Sequence, residues 1–120
     1  RVLVERRHQA AQLAVRLASA GATTVSIAQT IGMMSEAVKR IEGLVVARKL
    51  RHGGHPVLRW MASNAETQQD AYGNRKIRKP DRTQAKRVDG MVALAMAVSR
   101  ELRQAAAAAS VYEERGLLSI

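Results

Sequence analysis

The stretch MVALAMAV, residues 91–98, is apolar at every position and constrains the fold more than any other part of the chain. A helix that is apolar on nearly all sides is stable in water only where other elements cover it. We therefore expect a last long helix, from about Asp89 to Ala109, whose first half is buried against a sheet. The Ala tract at 105–109 continues it with strong helix formers.

The first part of the chain has the pattern of a βαβ unit. Residues 2–4 resemble the end of a buried strand, and residues 8–20 carry apolar side chains at the i, i+3, i+4 spacing of an amphipathic helix. Gly21 suits the position after that helix, and residues 23–27 are β-branched and short, as in a strand. This order predicts an α/β fold, a mostly parallel sheet with flanking helices.

The middle of the chain predicts two more helices and a polar β-ribbon. Ser35 is a capping residue for a helix to about Leu50, and Pro56 suits the first turn of a short helix. Trp60 in that helix either stacks on a base or, as Leu58 and Met61 beside it favour, fills the core. The apolar pattern then fades, and residues 70–74 (DAYGN) have turn composition. We expect a ribbon over about 65–87 with its turn there.

The run RKIRKPDRTQAKR, residues 75–87, holds seven Lys/Arg against one acid, in a chain of formal net charge +10. A run of this kind is often only a solvated surface, but its density on a ribbon favours contact with phosphates. The charge balance favours nucleic acid over membrane as the partner. The predicted DNA-backbone contacts are Arg75, Lys76, Arg78, Lys79, Arg82 and Arg87.

Asp89 follows this run directly and opens the apolar helix. A carboxylate at a helix N-terminus is favoured by the macrodipole, so one interpretation of Asp89 is a helix cap. Hard cations also prefer carboxylate oxygen, and DNA brings phosphates, so a Mg²⁺ ligand beside a phosphate-binding surface is the other interpretation. The local pattern alone favours the cap.

Two other patterns compete with this interpretation. Ala28, Gly32 and Val38 have helix-turn-helix spacing, which would make the chain a small non-enzymatic DNA-binding module, but that fold requires residues 23–27 to be helical. His52 and His55 stand three apart around Gly-Gly. Without a third ligand nearby, a basic loop near phosphates is the better interpretation than a metal site.

Several classes of protein are excluded by what the sequence lacks. It has no cysteine, no run long enough for a membrane span, no signal-peptide pattern and no GxxxxGK[ST] phosphate loop. We expect a soluble intracellular protein without a nucleotide-hydrolysing motor of its own. Because the chain opens at Arg1 inside a strand pattern, we also expect it to be a fragment of a longer protein.

A collinear set of motifs resembles one known family. RHGGHPVLRWMASN (51–64), DAYGN (70–74), KPD (79–81) and RVDGMVALAMAV (87–98) follow one another as in the C-terminal nuclease region of tailed-phage terminase large subunits. AAQLAVRLASAG and IGMMSEAVKRIEGLV are similar to the helix, strand and helix that precede it. The resemblance covers about residues 8–100.

The resemblance implies a partial RNase H-like nuclease domain over 1–109, with 110–120 as a C-terminal tail. In that family, acidic residues hold two divalent metals, Mg²⁺ or Mn²⁺, that cut double-stranded DNA during genome packaging. Asp89 falls on the family's last acid. Glu5 is the acid nearest the end of the strand before the first helix, where an earlier family acid lies; the family's first acid would precede Arg1.

The resemblance also implies partners and a setting. The implied partners are double-stranded DNA, the portal and the small terminase subunit, with no membrane. ATP would be used only through an upstream domain. The implied location is the cytoplasm of a bacterial host. The chain alone is expected to be inactive or nearly so. A degraded prophage remnant, retaining nucleic-acid binding without a role, is a further hypothesis.

Overall fold

The computed structural model describes residues 2–5, 10–80 and 85–118, with side chains over 10–80 and 85–114. Strand β1 (Val2–Glu5) and strand β2 (Thr24–Ile27) pair in parallel and are joined by helix α1 (Ala10–Ser19). The predicted βαβ order is therefore present. Because β2 is a strand, the helix-turn-helix alternative is wrong.

Helix α2 (Ile31–Val46) begins four residues before the predicted Ser35. Thr30 caps it, since the Thr30 hydroxyl accepts a hydrogen bond from the Met33 N–H at 3.4 Å. Ser35 instead lies inside the helix, is buried, and accepts a hydrogen bond from the Arg75 N–H at 3.1 Å. Ser35 therefore ties the helix to a distant strand and does not start it.

Helix α3 (Pro56–Asn64) begins where Pro56 predicted. It is followed by a ribbon, strand β3 (Glu66–Gln69) antiparallel to strand β4 (Arg75–Arg78). The ribbon ends at Arg78, short of the predicted residue 87, so Lys79 and Arg87 lie outside its strands. The described residues thus form one parallel pair and one antiparallel pair. A larger, mostly parallel sheet stays a prediction.

The ribbon turn is built around Asp70, as expected. One Asp70 carboxylate oxygen accepts hydrogen bonds from the Tyr72 and Asn74 N–H groups at 2.9 Å, and the other accepts one from the Asn74 side-chain amide at 2.9 Å. The Asn74 side chain, followed by the backbone N–H groups of Asn74 and Tyr72 and by the charge of Lys39, holds the pKa of Asp70 below its ordinary value.

Helix α4 (Asp89–Leu118) has 30 residues, which corresponds to about 45 Å. It runs past the predicted end near Ala109, so residues 110–118 continue the helix. No glycine or proline interrupts the sequence from Met91 until Gly116, so no residue stops the helix earlier. None of the described residues forms a helix long and apolar enough to cross a membrane.

The core lies mainly between α2 and α4, with α3 on one side of α4 and β4 against α2. The apolar start of α4 is therefore covered largely by helices, where a sheet was expected, and its small Ala93 and Ala97 remain exposed. Ile77 of β4 packs against this core. The buried cluster consists of Ile27, Met34, Ala37, Ile41, Ala95, Met96 and Val98.

Candidate functional site

Asp89 is the first residue of α4, and its side chain is exposed. The preceding residue, Val88, takes the cap position: its carbonyl accepts hydrogen bonds from the Met91 and Val92 N–H groups at 2.9 and 3.1 Å. Asp89 therefore does not occupy the cap position itself. Its carboxylate still lies at the positive end of the helix dipole, which favours a negative charge by about 0.3–1 kcal/mol.

Helix α3 fixes the position of this helix start through two hydrogen bonds. The buried Asn64 side chain donates to the Arg87 carbonyl at 3.1 Å. The Gly90 N–H, one of the groups a helix start leaves without a partner, donates to the Met61 sulfur at 3.1 Å. Asp89 lies between these two points, so α3 determines where its backbone sits.

Gly90 allows that approach because it has no side chain. A Cβ at this position would lie 2.8 Å from the Met61 sulfur and 3.1 Å from Leu58 Cδ1. Sequence reasoning missed this contact. The available signal was a glycine one residue into an apolar helix, which costs about 1 kcal/mol relative to alanine unless close packing requires it.

Glu5, the other predicted acid, ends β1 opposite Ile27 of β2. Ile27 belongs to the core cluster that includes Ala95 and Met96 of α4, so the fold brings this strand end to the flank of α4. Among the residues that the structure describes, no three His, Asp or Glu side chains come together as a metal site would require. The role of Asp89 as a metal ligand therefore stays a prediction, and the described residues do not complete a ligand set.

The ribbon cations, predicted to contact DNA, are partly engaged within the protein. The Arg75 guanidinium lies 2.7 Å from the Glu42 carboxylate of α2, and the Arg78 guanidinium lies 3.4 Å from Glu66 of β3. Lys76 and Lys79 are half-buried, whereas Arg87 is exposed. Arg82 falls outside the described residues. Arg75 and Arg78 therefore begin with a carboxylate neighbour that a phosphate would have to replace.

The two histidines of the RHGGH loop have structural roles. Nδ1 of His55 accepts a hydrogen bond from the Val57 N–H at 3.2 Å and so caps α3, and Nδ1 of His52 accepts one from the Gly54 N–H at 3.2 Å. A nitrogen that accepts from a backbone N–H has no lone pair left for a metal. These contacts support the basic-loop interpretation over a metal site.

The residue that follows the C-cap of α2, Arg48, is unusual at that position. The Lys49 N–H bonds to the Leu44 carbonyl at 2.8 Å and the Arg48 N–H to the Val45 carbonyl at 3.0 Å, the two bonds of a Schellman motif. Arg48 has φ +55° in this motif, where glycine is the favoured residue. An L-residue there costs about 1–2 kcal/mol.

The exposed cationic and aromatic side chains of residues 48–60, from the end of α2 into α3, are called the basic loop surface. Trp60 belongs to it, since its side chain is 45% exposed, and the prediction that it fills the core is wrong. Leu58 and Met61 of α3 lie against Gly90 of α4. Arg59 and Trp60, on the other sides of α3, are exposed to solvent. The basic loop surface comprises Arg48, Lys49, Arg51, His52, His55, Arg59 and Trp60.

Comparison with known proteins gives consistent similarities. Residues 8–105 match the family model described as terminase large subunit, endonuclease domain. The chain is 45% identical over 74 residues to the terminase large subunit of Enterobacteria phage HK97, covering 62% of this chain and 14% of that protein. It is 33% identical over 104 residues to protein YmfN of Escherichia coli K12, covering 86% of this chain and 21% of that protein.

A solved structure is also similar to this chain. The crystal structure of the HK97 bacteriophage large terminase matches with a TM-score of 0.64 and 38% identity, over 75% of this chain and 19% of that one. The chain therefore spans about a fifth or less of the length of these relatives.

Proposed function

Because the chain belongs to the family of terminase large subunit endonuclease domains, we propose that it is part of a metal-dependent endonuclease that cuts double-stranded DNA during viral genome packaging. The observation that carries this proposal is the placement of Asp89. It is an exposed carboxylate at a helix start that α3 holds by contacts on both sides of it. A site of this kind needs a rigid ligand that is open to substrate.

The proposed mechanism assigns Asp89, together with Glu5, to holding Mg²⁺ or Mn²⁺. When bound, a pair of such metals activates a water molecule and stabilises the leaving oxygen of the phosphodiester. Further acids would have to come from residues beyond the described ones, in the RNase H-like arrangement that the family resemblance implies. This chain's own cations would bind the DNA backbone and keep the scissile strand near Asp89.

The proposal extends to the parent protein. It would act in the cytoplasm of a bacterial host, together with the portal and the small terminase subunit. ATP would be used only by a separate motor domain of that protein. These assignments rest on family membership alone.

The test is a plasmid-nicking assay with a hybrid protein, in which residues 8–105 replace the matching segment of the HK97 large terminase. We expect Mg²⁺- or Mn²⁺-dependent cutting that Asp89→Asn abolishes. Glu101→Gln, which removes an exposed acid farther along α4, is the matched control and should leave cutting intact. The 120-residue chain alone should cut little, because no three acids meet in its described part.

Two results would contradict the proposal. One is cutting by the hybrid that persists in Asp89→Asn, since Asp89 then holds no essential metal. The other is a folded hybrid that does not cut with either metal.

A further inference from the structure

The segment that carries the basic loop surface contains no acidic residue. Between Glu42 and Glu66 the chain has no acidic residue, but it has four Lys/Arg and two His. All six side chains are exposed. Within residues 10–80 and 85–114, the ion pairs are Arg75–Glu42 and Arg78–Glu66, so none of the described carboxylates neutralises a cation of this surface.

Arg48 adds an independent observation. Its backbone has φ +55°, where glycine would be unstrained. The Schellman hydrogen bonds require this backbone conformation but do not require arginine. The Arg48 side chain is exposed and makes no contribution to the core, so its charge is open to a ligand.

Trp60, which follows Arg59 on α3, adds an exposed aromatic donor to this surface. Its indole is 45% exposed, and Val57, one helical turn away, is 49% exposed. An indole N–H donates to phosphate oxygens, as Arg and Lys do. The centre of a protein–protein interface is depleted of charged residues, whereas this surface is dominated by them.

We propose that the basic loop surface binds the phosphate backbone of duplex DNA and is a second DNA contact apart from the ribbon. Helix α3 connects this contact to the candidate site. One side of α3 carries Arg59 and Trp60, and another holds the start of α4 through Met61 and Asn64. A duplex bound to α3 is thereby kept in a fixed relation to Asp89. The inference rests on the proposed function for its substrate.

The experiment measures binding of the whole chain to a short labelled duplex, by fluorescence anisotropy, over a series of salt concentrations with EDTA present. Each phosphate contact contributes about 0.9 to the slope of log K against log salt. We expect Arg51→Gln to lower the slope by about 0.9 and Arg48→Gly with Arg51→Gln to lower it by about twice that. Arg16→Gln, an exposed arginine on α1, removes the same charge elsewhere and should change the slope far less.

Trp60 supplies a second readout, because it is the one tryptophan in the chain. Saturating duplex should quench or shift its emission, and an acidic polypeptide of equal charge should not. Arg48→Gly should at the same time raise Tm, which separates lost binding from lost folding.

Three results would overturn the inference. These are an unchanged salt slope in the loop variants, Trp60 emission that does not respond to duplex, and equal binding to the acidic polypeptide. Because EDTA removes divalent metals, binding and cutting are tested separately. A chain that binds through this surface while the hybrid fails to cut would leave this inference standing and refute the nuclease.

Discussion

The ribbon and the basic loop surface are both rich in cations, but only the ribbon has arginines that form ion pairs with carboxylates of the described residues. Arg75 and Arg78 lie beside Glu42 and Glu66, which are 33 and 12 residues away in the chain. The cations of the basic loop surface have no such neighbour among the described residues. Density of charge along a sequence therefore does not tell which cations are open to a ligand, since the fold decides which of them meet a carboxylate.

The two regions also differ in how they are attached. The ribbon joins α2 through the Ser35–Arg75 hydrogen bond and through Ile77 in the core. The basic loop surface joins α4 through α3, by Met61 and Asn64. Only the second attachment bears directly on the helix start that carries Asp89.

The largest effect is expected from Gly90→Val, which breaks the attachment of α3. A Cβ there would lie 2.8 Å from the Met61 sulfur and 3.1 Å from Leu58 Cδ1, and Val adds two more methyl groups. Overpacking of this kind costs about 1–3 kcal/mol, so the free energy of unfolding should fall by that amount in urea titration. Gly43→Ala is the control: with no atom within 4 Å of its Cβ, it should be stabilising. Equal stability of Gly90→Val and the parent chain would show that α3 does not hold α4.

A smaller effect is expected from Glu42→Gln, which removes the carboxylate beside Arg75 and leaves this ribbon arginine without an ion-pair partner, like the cations of the basic loop surface. Without the carboxylate at 2.7 Å, the Arg75 guanidinium is released for phosphate. Binding to duplex should strengthen, and the salt slope should steepen by up to about 0.9. Stability should change by less than about 1 kcal/mol, as for other exposed ion pairs. Glu36→Gln, on the same helix and also exposed, removes the same charge as a control. If both variants bind alike, the ion pair does not restrain Arg75.

The smallest expected effect is a loss of stability in the Asp70–Asn74 turn of the ribbon as the pH falls. The pKa of Asp70 is lowered below 3.8, chiefly by the Asn74 side chain. A lowered pKa means that the ionised form stabilises the folded ribbon above about pH 3.8, and that this contribution is lost as the pH falls through the folded-state value. The protection factors of the ribbon amides, which correct the exchange rates for their intrinsic dependence on pH, should therefore fall on acidification.

The first turn of α2, which is capped by the neutral Thr30 hydroxyl and contains no carboxylate, supplies the internal comparison for that measurement. Asp70→Ala should abolish the ribbon's response to pH. A response that survives the substitution would assign the titration to another group.

The sequence predicted the elements whose cause is local. Pro56 at the start of α3, the Asp70–Asn74 turn and the β-branched strand at 24–27 depend on residues close in the chain, and all three appear in the structure. Asp89 at the start of α4 was predicted for the same reason. Its role as a metal ligand stays a prediction.

The misplaced features depend on partners far away in the chain. Ser35 has the composition of a cap but bonds to Arg75, 40 residues later. Trp60 has the composition of a core residue but lies on the side of α3 that α4 does not cover. The contact of Gly90 with Met61 joins residues 29 apart. Periodicity reports which residues share a face, and it does not report which element that face meets.

The far half of α4 has a consequence for how the chain unfolds. From Arg103 to Glu114 every side chain is exposed, so this segment buries little surface against the other described residues. Its helical form depends on alanine and other good helix formers and on continuity with the packed half. One continuous helix therefore contains two thermodynamic units: a half that opens only when the whole domain opens, and a half whose local stability is set by its own residues.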